Sequence, residues 1–402
     1  MKKSLFAAAA LTAMAGAAQA QSSVTVYGIL DVGYLQTNQR GVGTTPLTNE
    51  TTSQFGNSLE QTSRLGFKGT EDLGGGASAF FTVETGLTPT SSTLGGTSLN
   101  NRQSFVGLKK NGIGQFSLGT QYTTIFDAAA ITDPGQLNNM IGNVIYATTP
   151  ANGNTIGTDP GTSTGAANAA TGVSNGFATR AANVLKVNSD TFAGFGVNAM
   201  YTLSNANTTI TNTSVGGNNN FNGWGVGANY TWNKLLVTAN YQALKSVIAY
   251  GTASTVATPA PALWGGTTYQ GANTQDNQAY VAGTYDFGIL KAYAQWVTRK
   301  ATDTINTGYY AKRNAQQLGV RSYITPVIEA WASVGNGRLT SFGTQNPTVN
   351  FTAYQLGSNY YLSKRTNLYA IYGTSQTSGV YTGVTSAPAS VGGYALGLRH
   401  TF

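Results

Sequence analysis

The side chains that could do chemistry in this chain are few and far apart. Among 402 residues there is one histidine, His400, and no cysteine. A Ser–His–Asp arrangement needs a histidine oriented by a carboxylate, and His400 falls on the apolar phase of the last segment, beside the C-terminus. One histidine without cysteine assembles no transition-metal centre. Gly225-Val226-Gly227 lies inside an alternating segment and lacks the strand-to-helix setting of a dinucleotide loop. Calcium chemistry has only a weak signal, in Asp-bearing stretches such as that around Asp159. No resident metal or cofactor is expected, and catalysis has little to stand on.

The remaining chemistry is charge. Charged residues make up 9% of the chain, against roughly 25% in an ordinary soluble protein. The formal net charge of +8 becomes +6 if Lys2 and Lys3 leave with an N-terminal leader. The bases are scattered, with no basic-aromatic module, so nucleic acid is not an expected partner. Their phase is regular. In Ser63–Gly69, Leu65 and Phe67 share one face, so Arg64, Gly66 and Lys68 take the other. In Arg102–Lys109, Phe105 and Gln103 are assigned to the apolar side, leaving Arg102 and Ser104 opposite. Val26, Leu30 and Val32 on one side put Tyr27 and Asp31 on the other.

The elements holding these charges are strands. Trp224, Val226, Ala228, Tyr230 and Trp232 alternate with Gly225, Gly227, Asn229 and Thr231; the C-terminal segment alternates from Tyr394 to Phe402. Sixteen segments of mostly nine to twelve residues begin near Val24, Ser63, Ala77, Arg102, Gly114, Asn183, Phe195, Asn222, Leu235, Asn277, Leu290, Asn314, Val327, Phe351, Thr366 and Gly392. Short turns such as Lys110–Gly112 and Asn233-Lys234 alternate with long loops such as Asn38–Gln61 and Ser246–Asp276. Residues 1–20 read as a signal peptide, with a basic start, a short apolar run and an Ala-Gln-Ala cleavage site. No mature segment has the ~18 consecutive apolar residues of a membrane helix. Tilted strands of about 9–11 residues with loops sorted by length fit a transmembrane antiparallel barrel of sixteen strands over 21–402. Aromatic residues at strand ends, Trp232, Tyr285, Phe287, Tyr360, Tyr361 and Phe402, suit interfacial girdles. A charge on the lipid face costs about 2–4 kcal/mol near the midplane, so the charged phase must face a wet lumen.

The longest insert decides what the lumen does. From Tyr122 to Thr179 there is neither a period of 2 nor one of 3.6, and a connection that long needs a task. Folded back into the barrel, residues 123–179 would narrow the bore.

The chain resembles the Gram-negative general porins, in particular their beta-proteobacterial branch. The resemblance rests on Val24-Thr25-Val26-Tyr27-Gly28, Ser63-Arg64-Leu65-Gly66-Phe67-Lys68-Gly69, Arg102–Lys109, Gln121-Tyr122, Asp127 through Asp133, and the ending Gly397–Phe402. It implies a sixteen-stranded antiparallel barrel with the long third loop in the lumen, a homotrimer, an outer-membrane location among lipid and lipopolysaccharide, and passive diffusion of small hydrophilic solutes and ions. It places a basic wall on Arg64, Lys68, Arg102 and Arg180, an acidic side on Asp133 and Asp127, and Glu84 on the barrel. The terminal aromatic Phe402 stands where the family carries its assembly signal. Two departures stand out: Pro134-Gly135 follows Asp133 in place of a Pro-Glu-Phe-Gly-type tip, and Thr120 stands where some members have a base.

Arginines facing loop carboxylates across a narrow gap would set up a transverse field that weights flux by charge, here toward anions. The alternative for these charges is a place at the rim, in loop salt bridges or against lipopolysaccharide. For function, the alternatives are a channel selective for phosphate, organic acids or sugars, a barrel enzyme, and an adhesive barrel.

Overall fold

The computed structural model describes residues 23–42, 48–90, 102–146, 180–208, 217–247, 273–303, 310–342, 348–378, 381–382, 384–385 and 389–402. The leader expected over 1–20, Asp159, and the part of the insert from 147 to 179 lie outside them. Strands β1 (Ser23–Val42), β2 (Thr48–Asn57), β3 (Arg64–Gly74), β4 (Ala77–Gly86), β5 (Ser104–Lys110) and β6 (Gly114–Tyr122) come first. A helix, α1 (Thr124–Thr132), follows. Then come β7 (Arg180–Ser189), β8 (Phe195–Thr208), β9 (Gly217–Trp232), β10 (Leu235–Val247), β11 (Asn273–Asp286), β12 (Lys291–Asp303) and β13 (Tyr310–Thr325). The chain ends with β14 (Ile328–Phe342), β15 (Thr348–Tyr361), β16 (Thr366–Thr377), a two-rung hairpin of β17 (Tyr381–Thr382) and β18 (Val384–Thr385), and β19 (Ala389–Thr401).

Each strand of the main sheet pairs antiparallel with its neighbours, and β1 pairs with β19, so the sheet closes on itself. Closure leaves no free edge, which is what a sheet in lipid requires. The lower part of β1, Ser23–Ile29, pairs with β3, and its upper part pairs with β2. β2 and β3 therefore share one position in the wall, and the barrel has sixteen strands around its circumference. Among the described residues no helix is long and apolar enough to cross a membrane.

Several strands are longer than the alternation predicts, up to 20 residues in β1. β2 lies wholly inside what reads in the sequence as the loop Asn38–Gln61. Above the hydrocarbon both faces of a strand meet water, so Gln36–Arg40 and Thr48–Ser53 have no apolar phase to reveal them. One girdle residue also differs. Tyr360 is exposed on the outer wall, whereas the Tyr361 hydroxyl donates to Glu329 Oε2 at 2.8 Å, on the lumenal side. Adjacent strand residues point to opposite faces, so only one of the two can serve the girdle.

Closure ends on the last residue. Gly28 N donates to Phe402 O at 3.0 Å, and Phe402 N donates to Gly28 O at 3.1 Å. Deleting Phe402 removes both bonds, a loss of about 1–3 kcal/mol at the seam. The expected outcome is a lower yield of heat-resistant barrel on refolding into detergent, read as the fraction of compact species on an unheated gel.

Candidate functional site: the charged wall and the inserted loop

The lumenal charges gather first on β3, β4 and the start of β5. Arg102 Nε lies 2.5 Å from Glu84 Oε1, and Arg64 Nη1 is 3.7 Å from Glu84 Oε2. Tyr27 donates its hydroxyl to Glu84 Oε2 at 3.2 Å, and Lys68 Nζ stands 5.4 Å from the centre of the Tyr27 ring. Two guanidinium groups share one carboxylate here, so the triad Arg64–Glu84–Arg102 keeps one net positive charge.

Arg102 reaches this place by a route that alternation misreads. Val106 and Leu108 are 59% and 43% exposed on the outer wall, and Phe105 stands opposite Thr82 and packs edge-on against Phe80. Phe105 therefore shares the lumenal phase of Glu84, and Ser104 takes the outer phase, the reverse of the sequence assignment. Glu84 N donates to Gln103 O at 2.7 Å while Arg102 N donates to Glu84 O at 3.1 Å. Two residues thus oppose one. This β-bulge inserts the extra residue that turns Arg102 inward.

The insert leaves β6 beside this triad. Tyr122 accepts from Arg102 Nη2 at 2.9 Å through its hydroxyl, stacks on Phe126 at 4.5 Å, and has the Arg180 guanidinium 5.7 Å from its ring centre. Thr123 caps α1, its Oγ1 accepting from Phe126 N at 3.2 Å. Asp127 sits in the first turn, where a negative charge is favoured, and pairs with Lys186 of β7. A helix of nine residues is marginal alone, so packing holds it. Ile125, Ala128 and Ala129 are buried with Tyr280, Ala282, Val297 and Ala315 of the barrel wall. A fully buried isoleucine contributes about 1.5–3 kcal/mol.

Beyond α1 the chain runs along the inner wall, fastened by amides. Asp133 is 2% exposed. Its carboxylate accepts from Leu137 N at 2.9 Å, Asn143 Nδ2 at 2.7 Å and Gln317 Nε2 at 3.0 Å. Arg321 Nη1 donates to Pro134 O at 2.6 Å. Asn138 and Gln355 exchange two amide bonds at 2.6 and 2.9 Å, and Val144 N donates to Gln317 Oε1 at 3.1 Å. Gln317 in turn bonds Gln295, and Gln295 bonds Tyr280. At Gly373 and Gly335 the wall gives the loop backbone room. A Cβ on the first would strike Ile141 O, and one on the second Val144 Cγ2.

A second inward segment meets the insert. Residues 58–63, between β2 and β3, leave the wall. Asp31 Oδ2 accepts from Glu60 N at 2.8 Å and Gln61 N at 2.6 Å, and Tyr369 donates to Asp31 Oδ1 at 2.5 Å. Asn139 Nδ2 then donates to Ser58 O at 2.7 Å. Glu60 lies 3.5 Å from Arg399.

Two of the expected pore-lining acids are therefore placed differently. Asp133 turns to the wall and holds the loop, and Asp31 is fully buried beneath residues 58–63. Neither faces the bore, because each is surrounded by the N–H and O–H donors it satisfies. Arg64, Lys68, Arg102 and Glu84 come together on one wall; Arg180 joins them through Tyr122, and Asp127 lies farther along the helix. Sequence reasoning did not single out the lumenal pairs Arg299–Asp276 and Arg321–Glu329, or the glutamines that seat the insert. Their signal is an amide or a charge on the non-lipid phase of consecutive strands.

Burial pushes the Asp133 carboxyl above its ordinary range, against the lowering effect of its hydrogen bonds. The seated loop thus binds a proton more readily than a released loop. Acidification stabilises the seat, and that gain is lost as pH rises through the seated pKa. Conductance fluctuations are expected to fall as pH is lowered, and Asp133→Asn should abolish the dependence in single-channel noise recordings.

A closed barrel whose lumen is crossed by a wall-bound loop beside a charged triad has the architecture of a diffusion channel. The model of the family described as Gram-negative porin matches residues 7–380, and the chain belongs to that family. Outer membrane porin protein 32 of Delftia acidovorans is 28% identical over the full length of both chains. An outer membrane porin protein of Bordetella pertussis is 39% identical over 129 residues, a match spanning 30% of this chain and 34% of that one. Among solved structures, the anion-selective porin from Comamonas acidovorans superposes with a TM-score of 0.67 at 23% identity, covering 95% of this chain and 100% of that one. The protein is an outer-membrane porin, a channel for small hydrophilic solutes.

Proposed function

We propose that the channel favours anions and that its width is set by residues 123–146 against the triad wall. The observation that carries this reading is the triad itself: Arg64 and Arg102 share the single carboxylate of Glu84, with Lys68 beside them. Asp133 and Asp31, which would oppose it, are each enclosed by hydrogen-bond donors, whereas Arg64 keeps 19% of its side chain exposed. The loop's Asp127 is balanced by Lys186, so the net positive charge of the triad meets no unbalanced carboxylate where the loop begins. The anion selectivity named for the Comamonas relative supports the same direction.

We further propose that the chain works as a homotrimer, as the family resemblance implies, and that it carries out transport without catalysis. The test is reconstitution into planar bilayers and liposomes. The reading predicts stepwise conductance and faster entry of small organic anions than of neutral sugars or organic cations of the same size. Saturable uptake of one solute class would favour a selective channel instead.

A further inference from the structure

On the short-turn side of the triad the lumenal wall carries two side chains that a water-filled bore gives no reason for. Along β4 the lumenal phase runs Glu84, Thr82, Phe80, and along β5 it runs Phe105, Gly107, Lys109. Phe80 and Phe105 are half-buried and meet edge to face, their ring centres 6.3 Å apart. Phe80 lies across Gly107, where a Cβ would stand 2.5 Å from its Cζ. Elsewhere lumenal apolar residues are roofed: Tyr280, Ala282 and Val297 by α1, and Leu35 and Ile371 by Leu59 and Met140. Among the described residues Phe80 and Phe105 belong to no roofed cluster. Contiguous apolar surface left in water is a mark of ligand binding.

Cations frame the two rings. Phe80 faces Thr70 on β3, two residues from Lys68. That diagonal is about 7–8 Å, a span that long and aromatic side chains bridge. Lys68 is exposed, and on its other side Tyr27 lies flat over Gly66, its ring centre 5.4 Å from Lys68 Nζ. Lys109 follows Phe105 on the same phase, opposite Ser78 and Gln115. The neighbouring acids are engaged or turned out. Glu84 is shared by two guanidinium groups, Asp72 accepts from Gly74 N at 2.8 Å in the turn below, and Glu71 pairs with Ala79 on the outer phase.

We infer that this shelf is a transit site for planar aromatic carboxylates, the ring against Phe80 and Phe105 and the carboxylate at Lys68. Chloride has no use for the rings, and a neutral aromatic solute has no use for the cations. A flat ring adds the edge-to-face contacts that an aliphatic chain lacks. The site narrows the anion preference proposed above to one class of solute. It rests on that reading for its charged half and on the two phenylalanines for the other.

The probes are 2-naphthoate and hexanoate, each titrated against the single-channel chloride current in planar bilayers. In the unmodified channel 2-naphthoate should reach half-block at a concentration about tenfold below that of hexanoate. Phe80→Ser/Phe105→Ser should raise the 2-naphthoate value about fivefold or more and leave the hexanoate value unchanged. Lys68→Gln should raise both. Tyr323→Ser, which removes an exposed ring from β13 on the far side of the barrel, should change neither. Chloride conductance and heat resistance report that each variant has folded. Chloride preference with equal block by the two anions, or 2-naphthoate block indifferent to Phe80→Ser/Phe105→Ser, would overturn the shelf alone. Phenylalanine-dependent block in a channel that does not prefer chloride would support the shelf and overturn the anion reading.

Discussion

Replacing Arg64 and Arg102 together by glutamine should convert an anion-favouring channel into one that favours cations. The two guanidinium groups converge on Glu84, so their removal takes the triad from one net positive charge to one net negative charge. For an ion passing about 7 Å away in water, a unit charge is worth about 0.6 kcal/mol, and roughly half of that after screening at 0.1 M salt. Anion and cation feel opposite signs, so each charge changes their permeability ratio about threefold and two change it about sevenfold. The control is Arg102→Gln/Glu84→Gln, which removes a base and its partner together and leaves the net charge of Arg64; it should keep the anion preference. If the first double variant kept the wild-type ratio, the triad would not control selectivity.

Unseating the insert should have the other large effect. Gly373→Leu places a side chain where Ile141 O now lies. Gln317→Leu with Gln355→Leu removes the amides that hold Asp133, Val144 and Asn138. Neither change touches the strand ladders, so the barrel should still resist heat in detergent. The obstructed cross-section opens, and single-channel conductance is expected to rise about twofold or more, since lumenal constrictions set conduction. Current noise should rise as well, because the loop loses fixed positions without losing its tether. Wild-type conductance in Gly373→Leu would mean that residues 123–146 do not limit the pore.

How much of this could be read from the sequence follows from where water is. Across the hydrocarbon each strand has one wet and one greasy side, so alternation betrays Trp224–Trp232 and Tyr394–Phe402 at sight. Above that band both sides are wet, and nothing in the sequence distinguishes β2 from a loop. Alternation also assumes an unbroken ladder; one extra residue opposite Glu84 reversed the phase of Phe105 and Ser104, although Arg102 still lands inside. In the insert, α1 is not legible because nine residues offer little more than two turns, and its buried face is two threonines, two alanines and a single isoleucine. The charges of the basic wall were legible as charges on the non-lipid phase. The burial of Asp31 and Asp133 was not, because it depends on backbone amides from residues 58–63 and 135–137, which no side-chain pattern announces. The apolar residues on the lumenal phase, Tyr280, Ala282, Val297 and Ala315, were the available hint that something packs there.

The most direct test of the basic field is the zero-current potential of the unmodified channel across a tenfold potassium chloride gradient. A potential of the sign set by chloride moving faster than potassium, diminishing as total salt is raised and the wall charges are screened, is the predicted result. A potential of the cationic sign, or none at low salt, would contradict it.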